Sequence, residues 1–307
     1  MEIPVYLPLL LAVALAVVPP RLVRSLPPAV AVWSLGISAV LSAMTWIFSL
    51  GLIASTAVER LSTVGRYVHF SAAHWRHVDP VSVRTAIGAG VVLAGCLTWF
   101  GIALIREILA AREVRHLGRE LGVTSTVVFV DDAAPHAYAV GGRPPRIVLS
   151  SGLLRTLDPA ERRAVLAHER AHLLRRHHIH LRVLRLASAV NPLLRSASRA
   201  GVLAVERWAD EDAAGDLGDR TLVARTLVRA ALASADSPIP AGVLAHSGNG
   251  DVGRRVAALL VAPPRLRWSI VAASAALAIA AAASPVYAAD DIGALLSATC
   301  ATVHIDR

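Results

Sequence analysis

The residues best suited to chemistry are two histidines four positions apart, in the run His168-Glu169-Arg170-Ala171-His172. On a helix this spacing puts both imidazoles on one face, where they can occupy two corners of a zinc tetrahedron. Glu169 then lies beside the metal and can take a proton from an attacking water. The pattern predicts a catalytic metal site, and a solvated, histidine-rich helix near lipid headgroups is the alternative interpretation.

A catalytic zinc site needs a third protein ligand and one open position. Glu206 is the candidate ligand, because Asp210 follows it by four residues and so shares its face of a later predicted helix. Asp210 could accept the free N–H of a liganding histidine and fix its tautomer. Two acids on a solvated helix face are the alternative interpretation of this pair.

His178 is a rival third ligand, six residues beyond His172. On an unbroken helix six residues turn through about 600° and advance about 9 Å, so His178 would point away from His172. For His178 to reach the metal, a glycine midway between the two histidines would have to break the helix, and that position is Arg175. We therefore interpret His177, His178 and His180, with the arginines around them, as a basic flank at a membrane interface.

The helix that carries the two histidines has a clear start. Asp158 is an expected N-cap, Pro159 occupies the first turn, and Glu161 follows the cap by three residues, which is the capping-box pattern. No proline interrupts the pattern before Pro192. We therefore predict one helix that continues to about Leu181 or beyond.

Short runs rich in β-branched and aromatic residues precede this helix. Residues 126–130 and 146–149 predict two strands, and residues 136–140 predict a third between turn signals. Residues 234–250 are rich in Ser, Pro and Gly and are predicted to form a loop. The region from 106 to 267 is therefore expected to fold as one α+β domain.

Four apolar stretches surround this domain, at residues 3–18, 29–58, 85–105 and 269–289. About 20 helical residues span the hydrocarbon of a bilayer, so the last three are long enough. The first is shorter and is interpreted as a retained helix that Pro19 and Pro20 end. The fold class predicted is an α-helical membrane protein with about four transmembrane helices and an inserted α+β domain that carries the histidine motif.

The expected organisation has four parts, and the domain between the third and fourth spans carries arginines at both of its ends. Arg106 and Arg112 follow the third span, and Arg255 and Arg265 are among the arginines that precede the fourth. The positive-inside rule then places this domain in the cytoplasm. The parts are a membrane region 1–105 with three transmembrane helices, a cytoplasmic domain 106–267 with the histidine motif, a fourth span 268–289 and an extracytoplasmic tail 290–307.

Composition agrees with a membrane protein. Of the 307 residues, 55% are hydrophobic and 17% charged, compared with roughly 45–50% and about 25% in a soluble domain. The net charge is +9, and all 31 cations are arginine. A nucleic-acid binder could carry this charge, but arginines that contact anionic lipid explain it better, so no direct nucleic-acid binding is expected. Two cysteines, Cys96 and Cys300, predict no disulfide framework.

Together with Asn191-Pro192, the histidine motif and the acidic pair make the chain resemble the integral-membrane zinc metallopeptidases of the BlaR/MecR antibiotic-sensing type. HtpX and CAAX-processing proteases are more distant relatives of that family. The resemblance implies a zincin-like domain with one Zn²⁺ per chain. The implied roles are zinc ligands for His168, His172 and Glu206, general base for Glu169, and support of a ligand for Asp210.

The resemblance also implies that residues 135–140 form the edge strand that docks a substrate. His136, Ala137, Tyr138 and Ala139 are the substrate-binding residues expected there. An edge strand can hold a peptide extended by backbone pairing, with the scissile carbonyl over the zinc. His136 or Tyr138 could help to stabilise the oxyanion, and ordinary strand side chains are the alternative interpretation.

By resemblance, the chain is expected to be a zinc endopeptidase of the bacterial plasma membrane that cleaves a cytoplasmic, BlaI-like winged-helix repressor. BlaR-type sensors carry a penicillin-binding domain after the fourth span, and only about 18 residues follow Ala289 here, so no β-lactam sensing is expected. An HtpX-like quality-control protease is one alternative. A membrane receptor or scaffold with a structural zinc site is another, and the oligomeric state stays open.

Overall fold

The computed structural model describes residues 3–22, 25–61, 82–120, 126–141, 144–234 and 249–303. Helices dominate these residues, and one small sheet precedes the helix that carries the two histidines. The strands are β1 (Val127–Val130), β2 (Ala137–Val140) and β3 (Arg146–Ser150). The helices are α1 (Ile3–Val17), α2 (Pro19–Leu22), α3 (Pro28–Leu61), α4 (Val83–Glu120), α5 (Ser151–Thr156), α6 (Pro159–Leu174), α7 (His177–Val190), α8 (Arg195–Leu217), α9 (Arg220–Ser234), α10 (Asn249–Leu259) and α11 (Trp268–Val303), with a 3₁₀ turn at Pro192–Leu194.

Two helices are long and apolar enough to cross a membrane among the residues described. They are Pro28–Ser55 of α3 and Val83–Val114 of α4. The first and fourth predicted spans coincide with shorter apolar helices, Tyr6–Arg21 and Trp268–Ser284. The second and third spans are thus supported by length and composition, whereas a total of four transmembrane helices is not confirmed.

Buried hydroxyl groups between the apolar helices are paired with backbone carbonyls. The Ser42 hydroxyl on α3 donates to the Ala12 carbonyl on α1 at 2.8 Å, and the Thr45 hydroxyl donates to the Ala281 carbonyl on α11 at 3.3 Å. An unpaired hydroxyl in so apolar a place would cost free energy. These hydrogen bonds therefore hold α1 and α11 against α3.

The three predicted strands form one sheet in the order β1-β3-β2. β1 runs parallel to β3, and β2 runs antiparallel to β3 with Tyr138 opposite Val148. β3 is buried along its whole length. Among the described strands β2 lies at an edge, as the sequence predicts for a substrate-docking strand.

Helix α6 begins as predicted. The Asp158 carboxylate accepts the backbone N–H groups of Ala160 and Glu161, and the Glu161 carboxylate accepts the N–H of Asp158. Glu161 is completely buried and also accepts from Arg225 and Arg229 of α9. The capping box therefore also attaches α9 to the first turn of α6.

The predicted continuation of this helix to Leu181 is wrong. Helix α6 ends at Leu174, Arg176 adopts the left-handed conformation with φ 52° and ψ 43°, and α7 starts at His177. A residue with a Cβ rarely adopts this conformation, and neither glycine nor proline marks the position. Arg175 beside it is fixed on α8, since its Nε donates to Asp212 at 2.7 Å.

Helix α7 packs against the apolar helices. Glu107 of α4 accepts hydrogen bonds from Arg182 at 3.1 Å and from Arg185 at 2.5 Å. His180 meets the ring of Trp33 on α3 edge to face. The same apolar core contains residues of α3, α7 and α8, among them Leu35, Leu184 and Val205. The boundary that the sequence predicts at residue 105, between the membrane region and the domain with the histidine motif, stays a prediction.

Candidate metal centre

Helix α6 presents His168 and His172 on one face, with their Nε2 atoms 3.1 Å apart. Glu206 of α8 lies opposite, its carboxylate oxygens 3.6 Å from His168 Nε2 and 3.7 Å from His172 Nε2. The ligand atoms of these three side chains all lie within 4.8 Å of one another. Ligand atoms around a tetrahedral zinc are about 3.3 Å apart, since zinc–ligand bonds measure about 2.0–2.1 Å. The donor set and its spacing therefore fit zinc.

Asp210 lies one helical turn beyond Glu206, and α8 brings both carboxylates to the histidines. Its Oδ1 is 3.0 Å from His168 Nδ1, and the residue is 2% exposed. When Asp210 accepts the Nδ1 proton, the Nε2 lone pair of His168 is free to bind a metal. The structure thus places Asp210 where the predicted supporting role requires it.

Arg255 of α10 is the residue at this centre that the sequence analysis assigned elsewhere. It was expected among the flanking arginines, but it is 4% exposed and its guanidinium donates to both Asp210 oxygens at 2.8 and 2.7 Å. Its Nη1 also lies 3.0 Å from Glu206 Oε2. One feature of the sequence could have indicated that Arg255 faces the protein interior. Arg255 shares a helix face with Val252 and with Leu259, which is buried.

The two histidines have opposite electrostatic surroundings. Burial lowers the pKa of His168, but its hydrogen bonds with Asp210 and Glu206 outweigh this and raise the pKa to about 10. Burial, together with the charge of His168, lowers the pKa of His172 to about 4. Burial opposes ionisation of Glu206, yet the histidines and Arg255 hold its pKa well below the usual range. In the metal-free protein Glu206 is thus a carboxylate anion, His172 is a neutral imidazole and His168 is protonated, so a metal that binds His168 must displace a proton from it.

Glu169 connects the metal centre to the sheet, because its carboxylate accepts a hydrogen bond from the backbone N–H of Ala139 on β2. Burial raises the pKa of Glu169 to about 7, with the charge of Glu206 adding to the effect and His168 opposing it. A carboxyl group with a pKa near neutrality can both accept and return a proton. The predicted general base therefore has a suitable position and proton affinity.

The register of β2 shows which backbone groups face outward. Residue pairs of an antiparallel ladder alternate between bonded and non-bonded, and the Ser150 N–H donates to the His136 carbonyl. Ala137 and Ala139 are then non-bonded positions whose N–H and C=O groups point to the outer edge, where Glu169 meets Ala139. A peptide paired with this edge would pass Glu169.

The side-chain rings of His136 and Tyr138, at the start of β2, form a pair. They stack on each other with centroids 5.8 Å apart, and His136 Nδ1 lies 3.8 Å from Asp132. The link between β2 and the metal centre that the structure describes runs through Ala139 and Glu169. The oxyanion role of His136 or Tyr138 stays a prediction.

The interpretation of His177 as part of a basic flank is wrong. His177 is 1% exposed, and burial together with the charge of His172 lowers its pKa to about 3. The left-handed residue Arg176 turns α7 so that His177 faces His172. His178, the rival ligand, lies against the backbone of Gly141 instead and is outside the group of three ligands.

Residues 105–247 match the sequence model of peptidase family M48. A protease HtpX homolog of Thermococcus sibiricus is 28% identical over 156 residues, which cover 44% of this chain and 50% of the relative. The homolog of Chlorobium limicola is 32% identical over 109 residues, covering 34% and 37%. That of Chlorobium phaeobacteroides is 36% identical over 69 residues, covering 22% and 24%.

The chain thus spans about half or less of the length of these curated relatives. No solved structure matches it. The stretch that matches the family model, residues 105–247, contains the sheet, both histidines and Glu206. The HtpX-like relation, which the sequence analysis took as the more distant one, is the one these similarities support, whereas they do not show BlaR-type specificity.

Proposed function

We propose that this chain is a membrane-bound zinc endopeptidase of the HtpX-like kind, acting on proteins within or near the bilayer. The observation that carries the proposal is the convergence of His168, His172 and Glu206 beside Glu169, at the open edge of β2. The similarity to peptidase family M48, a family of zinc metallopeptidases, and the two apolar helices support it. Cytoplasmic placement of the metal centre stays part of the proposal.

In the reaction, β2 holds the substrate. The outward N–H and C=O of Ala137 and the outward C=O of Ala139 pair with an extended peptide and align it along the edge of the sheet, while the N–H of Ala139 stays with Glu169. This pairing contacts the main chain of the substrate rather than its side chains, so peptides of many sequences can bind. Broad acceptance suits removal of damaged membrane proteins, which is the substrate class we propose.

The proton transfers belong to Glu169. A zinc ion bound by the three ligands would lower the pKa of water towards 7 and polarise the scissile carbonyl. Glu169 takes the proton of the attacking water and delivers it to the leaving amine. The Ala139 N–H holds the carboxylate of Glu169 at the substrate strand, so base and peptide are positioned by the same residue.

The test is cleavage by the Glu169→Gln variant. We expect Glu169→Gln to lower the rate on a denatured model protein by about 10²–10⁴-fold, because the general base is lost. Zinc content should be unchanged, because Glu169 is not a ligand. Zinc content is read by atomic absorption and cleavage by gel electrophoresis, in full-length protein purified in detergent. Arg170→Gln, an exposed neighbour, is the control and should cleave normally.

New protein N-termini in cells that express the wild type or Glu169→Gln then identify the substrates. Many scattered, Glu169-dependent cuts in membrane proteins would support quality control. One cut in a cytoplasmic DNA-binding protein would support repressor cleavage instead. Normal cleavage by purified Glu169→Gln protein would contradict the endopeptidase mechanism itself and favour a structural zinc site.

A further inference from the structure

His177 lies between the metal centre and the packed helices. Its Nδ1 is 3.0 Å from Nδ1 of His172, and the two rings are nearly perpendicular with centroids 4.9 Å apart. On its other side the ring lies 4.9 Å from that of Trp208. His177 is 1% exposed, so its contacts are with protein rather than solvent.

The two facing nitrogens restrict each other's protons. His172 Nε2 points at Glu206 and at His168 Nε2, so it is the nitrogen that would bind a metal. A neutral imidazole that binds through Nε2 carries its proton on Nδ1. That proton can be donated only if Nδ1 of His177 is an acceptor, with the proton of His177 on its Nε2.

The opposite arrangement is incompatible with metal binding. If His177 donated from Nδ1, then His172 would accept there, carry its proton on Nε2 and offer no lone pair to the metal. A metal-binding histidine normally donates its second N–H to a fixed acceptor, which orients the ring. Asp210 is such an acceptor for His168, and His177 occupies the equivalent place for His172.

We propose that His177 is a positioning residue, which accepts a hydrogen bond from His172 and so holds that ring in the tautomer and orientation that bind zinc. This inference rests on the proposed function, because it needs zinc at His168, His172 and Glu206. It concerns how tightly the ion is held, and it leaves the chemical step to Glu169.

The break between α6 and α7 makes this contact possible. On a continuous helix five residues turn through about 500°, so His177 would point some 140° away from His172. The left-handed conformation at Arg176 redirects the chain instead. Arg175 holds the break in place through its bond to Asp212 and its position over the Trp208 ring, 5.7 Å from the centroid.

Two substitutions of His177 separate acceptance of a hydrogen bond from ring packing. His177→Phe keeps an aromatic ring against Trp208 but removes the acceptor. His177→Asn removes the ring but keeps an oxygen near the position of Nδ1. His180→Phe is the matched control, because His180 lies on the same helix with its ring 6.0 Å from that of Trp208 and contacts Trp33 instead of His172.

The experiment measures zinc affinity of the full-length protein in detergent, by competition with a chelator, and the visible spectrum of the Co²⁺-substituted protein. We expect His177→Phe to bind zinc about 10- to 100-fold more weakly and to alter the Co²⁺ spectrum. His177→Asn and His180→Phe should stay within about threefold of the wild type. Circular dichroism of the metal-free proteins verifies that each variant is folded.

Wild-type affinity in His177→Phe, or an equal loss in His177→Phe and His177→Asn, would overturn the inference in favour of a packing role. If His177→Phe does not fold, His177→Asn decides, since a tenfold or greater loss of affinity in that variant contradicts acceptance of the hydrogen bond. A wild-type protein that binds no zinc would instead overturn the proposed function.

Discussion

Buried Asp210, half-buried Glu206 and buried Arg255 lie behind the two histidines, and Arg255 balances the charge of the two carboxylates. This guanidinium pairs with both oxygens of Asp210 and reaches Glu206, in a region with almost no access to solvent. Removal of one partner from a buried ion pair is costly, because the remaining charge loses both water and counter-ion. Arg255 therefore attaches α10 to α8, and its positive charge keeps the carboxylates of Asp210 and Glu206 ionised.

We expect Arg255→Met to lower the free energy of unfolding of the metal-free protein by about 3–5 kcal/mol, because two carboxylates lose their partner. Thermal unfolding followed by circular dichroism measures the change. Arg254→Met is the control, since Arg254 is 69% exposed and its loss should cost less than about 0.5 kcal/mol. Equal effects of the two substitutions would show that the buried pairing is unimportant for the fold.

The sequence identified four members of the metal centre because their spacing alone places them on helix faces. His168 and His172, and likewise Glu206 and Asp210, are each four residues apart, and the structure brings the two faces together. Arg255 and His177 were assigned to basic flanks of the membrane spans, because a shared apolar helix face, as for Arg255, does not by itself show that a charge or imidazole is buried. Their burial results from how α7 and α10 pack on α8, which local patterns do not encode.

At the scale of elements, the capping box of α6 also joins α6 to α9. The Glu161 carboxylate accepts the Asp158 N–H and the guanidinium groups of Arg225 and Arg229, while its own side chain is fully buried. One carboxylate thus defines where α6 starts and where α9 docks. The position of His168, two turns later, depends on that start.

We expect Glu161→Ala to lower the free energy of unfolding by about 1–3 kcal/mol, because the cap and both arginine contacts are lost. Arg163→Ala is the control, since Arg163 is exposed on the same helix and should change stability by less than about 0.5 kcal/mol. Thermal unfolding of the three proteins in one detergent decides. A loss no larger than the control's would mean that α9 docks without Glu161.

The elements themselves were largely predictable, and the exception has a physical reason. All three strands and the start of α6 follow the sequence pattern, because alternation and capping are local. The break at Arg176 does not, since arginine disfavours the left-handed region and the bond that holds the neighbouring Arg175 comes from Asp212 on α8, far along the chain. The order β1-β3-β2 could not be read from the pattern either. The loop predicted at 234–250 lies almost wholly outside the described residues.

At the scale of the whole molecule, a chain of hydrogen bonds connects the apolar helices to the end of α7. The Asn191 amide donates to the Ser42 hydroxyl at 3.1 Å, and that hydroxyl donates to the Ala12 carbonyl. Asn191 also accepts the Leu193 N–H, so it shapes the turn into α8. Glu107 forms a second connection, through Arg182 and Arg185.

We expect Asn191 and Ser42 to be coupled energetically. In a double-mutant cycle, Asn191→Ala and Ser42→Ala together should cost about 1 kcal/mol less than the sum of the two single substitutions. Ser49→Ala replaces Ser42→Ala in a control cycle, because the buried Ser49 hydroxyl lies on the same helix and donates within α3, to the Thr45 carbonyl at 2.7 Å. Strict additivity between Asn191 and Ser42 would contradict a structural role for their hydrogen bond.

The apolar core shared by α3, α7 and α8 has a consequence for any attempt to isolate the part of the chain that carries the candidate metal centre. Leu184 and Val205 are buried against Leu35 and its neighbours on α3, so a chain shortened to residues 106–267 would expose them to water. Such a fragment is expected to aggregate, or to recruit detergent in place of α3. In the proposed membrane-bound state α3 is a span, and a span tilts to match the thickness of the hydrocarbon around it. Lipid chain length is therefore an experimental variable that reaches the packing of α7 and α8 without any ligand.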